Sequence, residues 1–270
     1  MNVMGRNYGI CEYSKKQIIE MCKEIDISQL YNLDAVNYLS AVKEDTELCN
    51  EVVAEWVLKN IKKIKKIKMF IRNKSYFVSS HNGILTSNER LNPSNREEEI
   101  LAKNMHRRYY EPIGEIIDYQ IPLKDYLKEN KDSHLGKIDL LSVNENTKKI
   151  HIIELKKFGS KETMLRCILE GLTYYYNLNK SKLKEDYAWK FRKEIKEGLR
   201  EDISDYDFVV TPLVFKESQA FVEMMEMHNG YRDNLQKLMD SLGNIIELYY
   251  LDGKDEKAIC HHFSEIWDYS

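Results

Sequence analysis

Gly136-Lys137-Ile138-Asp139-Leu140-Leu141-Ser142-Val143-Asn144-Glu145-Asn146-Thr147-Lys148-Lys149-Ile150-His151-Ile152-Ile153-Glu154-Leu155-Lys156 is the stretch on which the reading of this 270-residue chain turns. Both halves are rich in Ile, Leu and Val, and a polar segment divides them, so it reads as a β-hairpin of 137–143 against 150–156. Taking Asn146-Thr147 as a two-residue turn sets Val143 opposite Ile150, Leu141 opposite Ile152 and Asp139 opposite Glu154. Side chains alternate with period two, so all six share one sheet face. Lys156 points the same way, ~6.6 Å beyond Glu154 along the strand.

That face therefore runs from an apolar end into two carboxylates and then an ammonium. Like charges directly opposite each other repel. A shared proton, the lysine or a divalent cation can offset the repulsion, and two converging carboxylates with room for water suit Mg²⁺ or Mn²⁺. A plainer alternative is a solvated sheet end where Lys156 merely pairs with its neighbours, an arrangement worth little energetically.

Working outward, 115–121 reads as a strand before the hairpin. A helix over 161–179, a charged helix over 184–200, a strand over 208–215, a helix over 218–242 and a strand over 245–251 follow it. The strand over 208–215 is almost continuously apolar, which predicts a central strand covered on both faces. Upstream, Asn92-Pro93 suits a helix start, with the helix running through Glu97, Ile100, Leu101 and Met105 to about 108. At ~100° per residue Glu97 shares the side of Leu101 and Met105, whereas Glu99 points away.

Residues 14–68 read as three helical stretches and 68–79 as a short hairpin, with a boundary over 80–92. The third stretch carries an apolar stripe of Val53, Val57, Ile61 and Ile64. On another face Lys59, Lys62, Lys63 and Lys66 form a basic ridge, either a phosphate contact or simply a solvated face. The expected organisation is an N-terminal helical region over 1–90, an α/β core over 91–252 and a tail over 253–270.

Composition narrows the classes. Hydrophobic types make up 43% and charged types 31%, with only 4 Pro and 11 Gly, which is a globular mixture rather than a disordered one. No run of 18 apolar residues exists and the first residues lack a signal-peptide pattern, so no membrane span is expected. A net charge of −3 excludes coating of nucleic acid by bulk electrostatics, leaving only local contact. Five scattered cysteines with no Cys-x-x-Cys pair indicate neither a disulfide framework nor a zinc knuckle, and point to a cytoplasmic location. Cys260-His261-His262 reads as tail rather than a metal site, since adjacent extended residues point apart. There is no Gly-x-Ser-x-Gly elbow and no phosphate loop.

Gly136-Lys137-Ile138-Asp139-Leu140-Leu141 followed by Ile153-Glu154-Leu155-Lys156 resembles the PD-(D/E)XK, or restriction-endonuclease-like, phosphodiesterase superfamily. The resemblance spans roughly residues 92–215 and includes the order helix, three strands, helix, strand. It implies an αβββαβ core with a central mixed sheet flanked by helices, in which Asp139 and Glu154 bind Mg²⁺ or Mn²⁺. Lys156 would position or activate the attacking water, and Leu155 would offer its backbone carbonyl to the metal.

The resemblance also implies a glutamate from the preceding helix, for which Glu97 is the first choice and Glu98 the second. On the following helix Arg166, Glu170 and Tyr174 stand where relatives carry Gln-x-x-x-Tyr. The Gln is absent, so Glu170 and Tyr174 replace it or Arg166 holds a phosphate; a surface ion pair between Arg166 and Glu170 is the alternative. The proline expected before the Asp is replaced by Ile138.

The expected activity is metal-dependent hydrolysis of nucleic acid, DNA favoured over RNA, with a second copy of the chain or another protein as further partners. The competing expectation is an inactive module of the same fold that binds nucleic acid or a protein, since fold alone does not confer activity.

Overall fold

The structure is a computed structural model that describes residues 9–43, 45–78, 81, 97–125 and 136–265, and the backbone of two short paired strands, β1 (Asn2–Val3) and β2 (Arg6–Asn7). The first described part is helical: α1 (Lys15–Glu24), α2 (Asp34–Asn37), α3 (Cys49–Lys59) and α4 (Ile61–Ile64). Then come α5 (Glu97–Met105), β3 (Tyr109–Tyr110), β4 (Gly114–Pro122), β5 (Lys137–Asn144), β6 (Lys149–Leu155) and α6 (Met164–Asn177). The chain continues through α7 (Lys180–Lys190), α8 (Arg192–Lys196), β7 (Asp207–Phe215), α9 (Gln219–His228), α10 (Asp233–Leu242), β8 (Tyr249–Asp252) and β9 (Ile259–His262).

Strands β3 to β9 form one mixed sheet in simple sequence order. β4, β5 and β6 are an antiparallel meander, β6, β7 and β8 are parallel, and β9 returns antiparallel. The sheet curls toward closure: the Tyr110 hydroxyl donates to the Glu256 carbonyl at 2.6 Å and Arg108 meets the Glu256 carboxylate at 3.2 Å, joining the first edge to the β8–β9 turn.

The hairpin register is the expected one, with Leu141 paired to Ile152 and Val143 to Ile150. Its turn is longer than two residues. The Asn144 side chain accepts from the N–H groups of Asn146 and Thr147, and Lys148 takes the left-handed conformation, φ 54°. The loop lengthens symmetrically about the same centre, so no strand residue changes face. Leu141, Val143, Ile150 and Ile152 pack on one side, Leu140, Ile153 and Leu155 on the other. β7 is buried at every position after Asp207, as a central strand should be.

Helix α6 covers the first side. Thr163 caps it, accepting from the Arg166 N–H, while its hydroxyl donates to the Val36 carbonyl at 2.8 Å. Gly171 brings the helix close to the sheet: a Cβ there would lie 2.6 Å from Val210 Cγ1. The N-terminal helices share a continuous core with α6 and β7, in which Ile18, Leu30 and Val53 join Leu165, Ile168 and Val210. The expected region over 1–90 is thus packed into the α/β body.

Several expected elements differ. The third N-terminal helix breaks at Asn60, splitting α3 from α4. Residues 68–78 form no strand; their backbone bonds go to other partners, Phe70 N–H to the Asn177 carbonyl and Tyr76 N–H to Asp186. The helix over 218–242 is two, interrupted by Gly230 at φ 75° and by the buried Arg232, which donates to Glu226 and to Asn50 of α3. The charged helix over 184–200 is likewise two, α7 and α8. The expected tail supplies a strand, β9, in which Cys260 pairs with Leu251. The helix start at Asn92-Pro93 and most of the boundary over 80–92 lie outside the described residues.

Candidate active site

β5 and β6 deliver Asp139 and Glu154 to the sheet face beneath α6, where the ladder opens. The last β5–β6 pair toward this end is Leu140 with Ile153. Beyond it Asp139 turns its carboxylate onto its neighbours. Oδ2 accepts the Leu155 N–H at 3.0 Å, and Oδ1 accepts from Gln120 Nε2 of β4 at 3.0 Å. Gln120 itself has φ 50°, an uncommon conformation for a residue with a side chain.

Glu154 and Lys156 are almost completely buried. Lys156 Nζ is 2.6 Å from Glu154 Oε1, 2.6 Å from Glu162 Oε2 and 3.6 Å from Glu170 Oε2. Glu154 Oε2 is buried with no hydrogen-bond partner. Arg166 completes the group, with Nε 3.2 Å from Glu162 and 3.8 Å from Glu170, and with a 2.9 Å hydrogen bond from Nη1 to the Tyr31 carbonyl. The Tyr174 hydroxyl donates to Glu170 Oε1 at 2.7 Å. Gly136 fits because a Cβ there would come within 2.0 Å of that hydroxyl.

The electrostatics follow from this crowding. Burial, with Glu170 adding to it against the pull of Lys156, pushes the Asp139 carboxyl up to about 7. Burial and Glu170 likewise hold Glu154 well above the usual carboxylate range, with Lys156 opposing. Asp139 nevertheless keeps partial solvent contact. Burial alone would lower the Lys156 ammonium, but Glu154, Glu170 and Glu162 outweigh it and hold it well above its ordinary value. The surrounding carboxylates thus favour the charged form of Lys156.

Asp139, Glu154, Glu162 and Glu170 set four potential negative charges against the two cations Lys156 and Arg166. The imbalance is met either by protons, which the raised carboxyls accept readily, or by a divalent cation. Among the described residues no group of three or more His, Cys, Asp or Glu side chains is arranged to hold a metal. Mg²⁺ does not require one, because it is commonly held by one or two carboxylates with water and phosphate oxygens completing the shell. The raised carboxyls and the unsatisfied Glu154 Oε2 fit such a cation.

The structure places the two glutamates expected from the preceding helix differently. Glu97 faces outward, 72% exposed, and pairs with Lys157. The buried face of α5 is Ala102 and Met105. Glu98, one turn before Ala102, lies on that side, and its Oε1 accepts the Lys157 N–H at 3.2 Å. Glu98 is also among the charges that raise Asp139. It is the α5 carboxylate next to the Asp139–Glu154 site.

The lysine ridge is not one surface, because the break at Asn60 divides it. Lys59 pairs with Glu55 at 2.5 Å, and Lys63 lies over the Trp56 ring. Lys62 is exposed beside them. Lys66 lines an open cleft of about 740 Å³ together with Lys68, Lys124, Phe70 and Asn177. Asn177 lies seven residues beyond Glu170 on α6, so this cleft is about two helical turns from the carboxylate group.

Glu162 and Gln120 were missed in the sequence. Glu162 carried a signal, standing four residues before Arg166 as Arg166 stands four before Glu170. Gln120 carried none. Compared with family models, with curated proteins and with solved structures, the chain has no match.

Proposed function

We propose that the chain is a metal-dependent phosphodiesterase acting on nucleic acid, DNA favoured, with its centre at Asp139, Glu154 and Lys156. The observation that carries this reading is the convergence of Asp139 and Glu154 beside a buried lysine 2.6 Å from Glu154, with one Glu154 oxygen unsatisfied. With the short β3 and the helices α7 and α8 as insertions, the element order α5, β4, β5, β6, α6, β7 supports the restriction-endonuclease-like reading of the core.

Mg²⁺ or Mn²⁺, held by Asp139, Glu154 and the Leu155 carbonyl, would neutralise charge on a phosphate and lower the pKa of bound water. Lys156 offers a preorganised positive charge where negative charge grows in the transition state. Glu162 and Glu170 hold that ammonium in place, and Arg166 holds them in turn. Asp139 is aimed by Gln120 and the Leu155 N–H. The cleft at Lys66, Lys68 and Lys124 gives a phosphodiester backbone three cations to lie along.

The test is incubation with plasmid, single-stranded DNA and RNA in Mg²⁺ or Mn²⁺. Cleavage that Asp139→Asn abolishes supports the reading; no cleavage, or equal cleavage by the variant, overturns it. One observation favours an inactive binding module instead: Lys156 and Arg166 are both engaged by Glu162 and Glu170. Salt-dependent nucleic-acid binding that persists in EDTA without turnover would select that module.

A further inference from the structure

Cys11 and Cys49 are far apart in sequence, yet their sulfurs lie 2.7 Å from each other. The backbone puts them there. The Cys11 N–H donates to the Ala41 carbonyl at 2.8 Å and the Cys49 N–H to the Ser40 carbonyl at 3.0 Å, so two consecutive peptide units hold both residues. Bridges of Ala41 with Ile10 and with Leu48 fix the same segment from both sides. Cys11 is half-exposed while Cys49, the first residue of α3, is buried.

We propose that Cys11 and Cys49 form a reversible disulfide when a low-molecular-weight disulfide such as oxidised glutathione is present, bracing the N-terminal segment onto α3. Burial, with the Cys11 sulfur adding to it, holds the Cys49 thiol up to about 12, so the accessible Cys11 is the sulfur that meets the oxidant. The Cys11 thiolate attacks one glutathione sulfur. The glutathione S–S bond breaks, and the departing glutathione thiolate takes up the proton that Cys11 gave to solvent. Cys49 then attacks Cys11 Sγ, loses its own proton and displaces the second glutathione. The two cysteines are oxidised by two electrons, and one glutathione disulfide becomes two thiols. Cys22, Cys167 and Cys260 are buried elsewhere and take no part.

The experiment equilibrates the full chain with oxidised glutathione, unfolds it in denaturant with an excess of alkylating agent so that every free thiol is blocked, and maps peptides without reduction. The expected result is a Cys11–Cys49 cross-linked peptide, two of the five thiols protected and full reversal by dithiothreitol. The cross-link closes a loop of 38 residues, and the melting temperature should rise by about 5 °C or more. Five alkylated thiols, a glutathione adduct resting on Cys11, or a cross-link elsewhere would overturn the proposal, and an unchanged melting temperature would overturn the bracing. Cys11→Ser should keep all its remaining thiols alkylable; protection of two of them would also overturn it. Should that variant fail to fold, the peptide map of the unmodified chain decides.

Discussion

The Asp139 carboxylate accepts the backbone N–H of Leu155 at 3.0 Å, so the residue between Glu154 and Lys156 is held by the strand that faces it. The bond ties the two halves of the hairpin where their ladder has ended, and it fixes the main chain from which Glu154 and Lys156 project. Asp139 is thus a positioning group for β6 as well as the foremost cation-ligand candidate.

Asp139→Asn should abolish metal-dependent cleavage and also leave a thermodynamic signature. A carboxyl raised to about 7 in the folded chain, from an ordinary value near 3.8, binds more protons folded than unfolded between those limits. Its contribution to stability therefore falls as pH rises through that window. Denaturant titrations should find the variant gaining on the parent protein by up to ~1.4 kcal/mol per pH unit from pH 4 to 7. Parallel curves would refute the raised carboxyl.

Protons and cation compete for this group. Mn²⁺ affinity followed by calorimetry should weaken as pH falls below about 7, by up to about tenfold per unit for each carboxyl that must give up a proton, and binding near neutrality should release protons. Affinity that is flat from pH 5 to 8 would place the ion elsewhere.

Lys156→Met removes the cation that three carboxylates share. Losing one partner of a buried ionic group costs about 3–5 kcal/mol, and all cleavage should go with it. Lys156→Arg should retain more stability than Lys156→Met, since it preserves charge, but little activity, because the fork points its donors differently. Thermal melts and plasmid assays on the pair check both statements.

Glu97→Gln should be silent in cleavage assays, because its carboxylate is exposed and, among the described residues, pairs with Lys157 on the outer side. Glu98→Gln should lower the rate and weaken Mn²⁺ binding. An opposite ranking would restore Glu97 as the ligand from α5.

A second buried carboxylate, Asp118, makes an instructive contrast. It accepts from Tyr187, from Lys190 and from His81, and although burial opposes, these partners hold its carboxyl below the usual range. A depressed group stabilises the fold above its unfolded pKa and loses that contribution as pH falls through the folded value. Asp118→Asn should cost about 3 kcal/mol near neutrality, with the difference from the parent protein vanishing in acid. Equal destabilisation at pH 3 and pH 7 would exclude this account.

How much of this was legible depended on whether a local pattern had a single structural solution. The hairpin did, since Leu141, Val143, Ile150 and Ile152 admit one register that buries them together, and a four-residue turn preserved it. The buried β7 was equally plain. Glu97 and Glu98 were harder because adjacent helical residues differ by ~100°, and only tertiary packing reveals which edge of α5 meets the sheet. The break at Asn60 and the irregular course of residues 68–78 depend on where backbone groups find partners, as Phe70 does at the end of α6. β9 reads weakly by itself and becomes a strand because β8 offers it an edge.

The hydrogen bond from Thr163 to the Val36 carbonyl puts the cap of α6 in the keeping of the first forty residues. Ile18, Leu30 and Val53 meanwhile roof over Leu165 and Ile168. A shortened chain that begins near residue 97 would uncover greasy surface along the very helix that supplies Glu170 and Tyr174. Trimming this protein to its apparent chemical heart would dismantle the heart, and any fusion or crystallisation fragment has to begin ahead of α1.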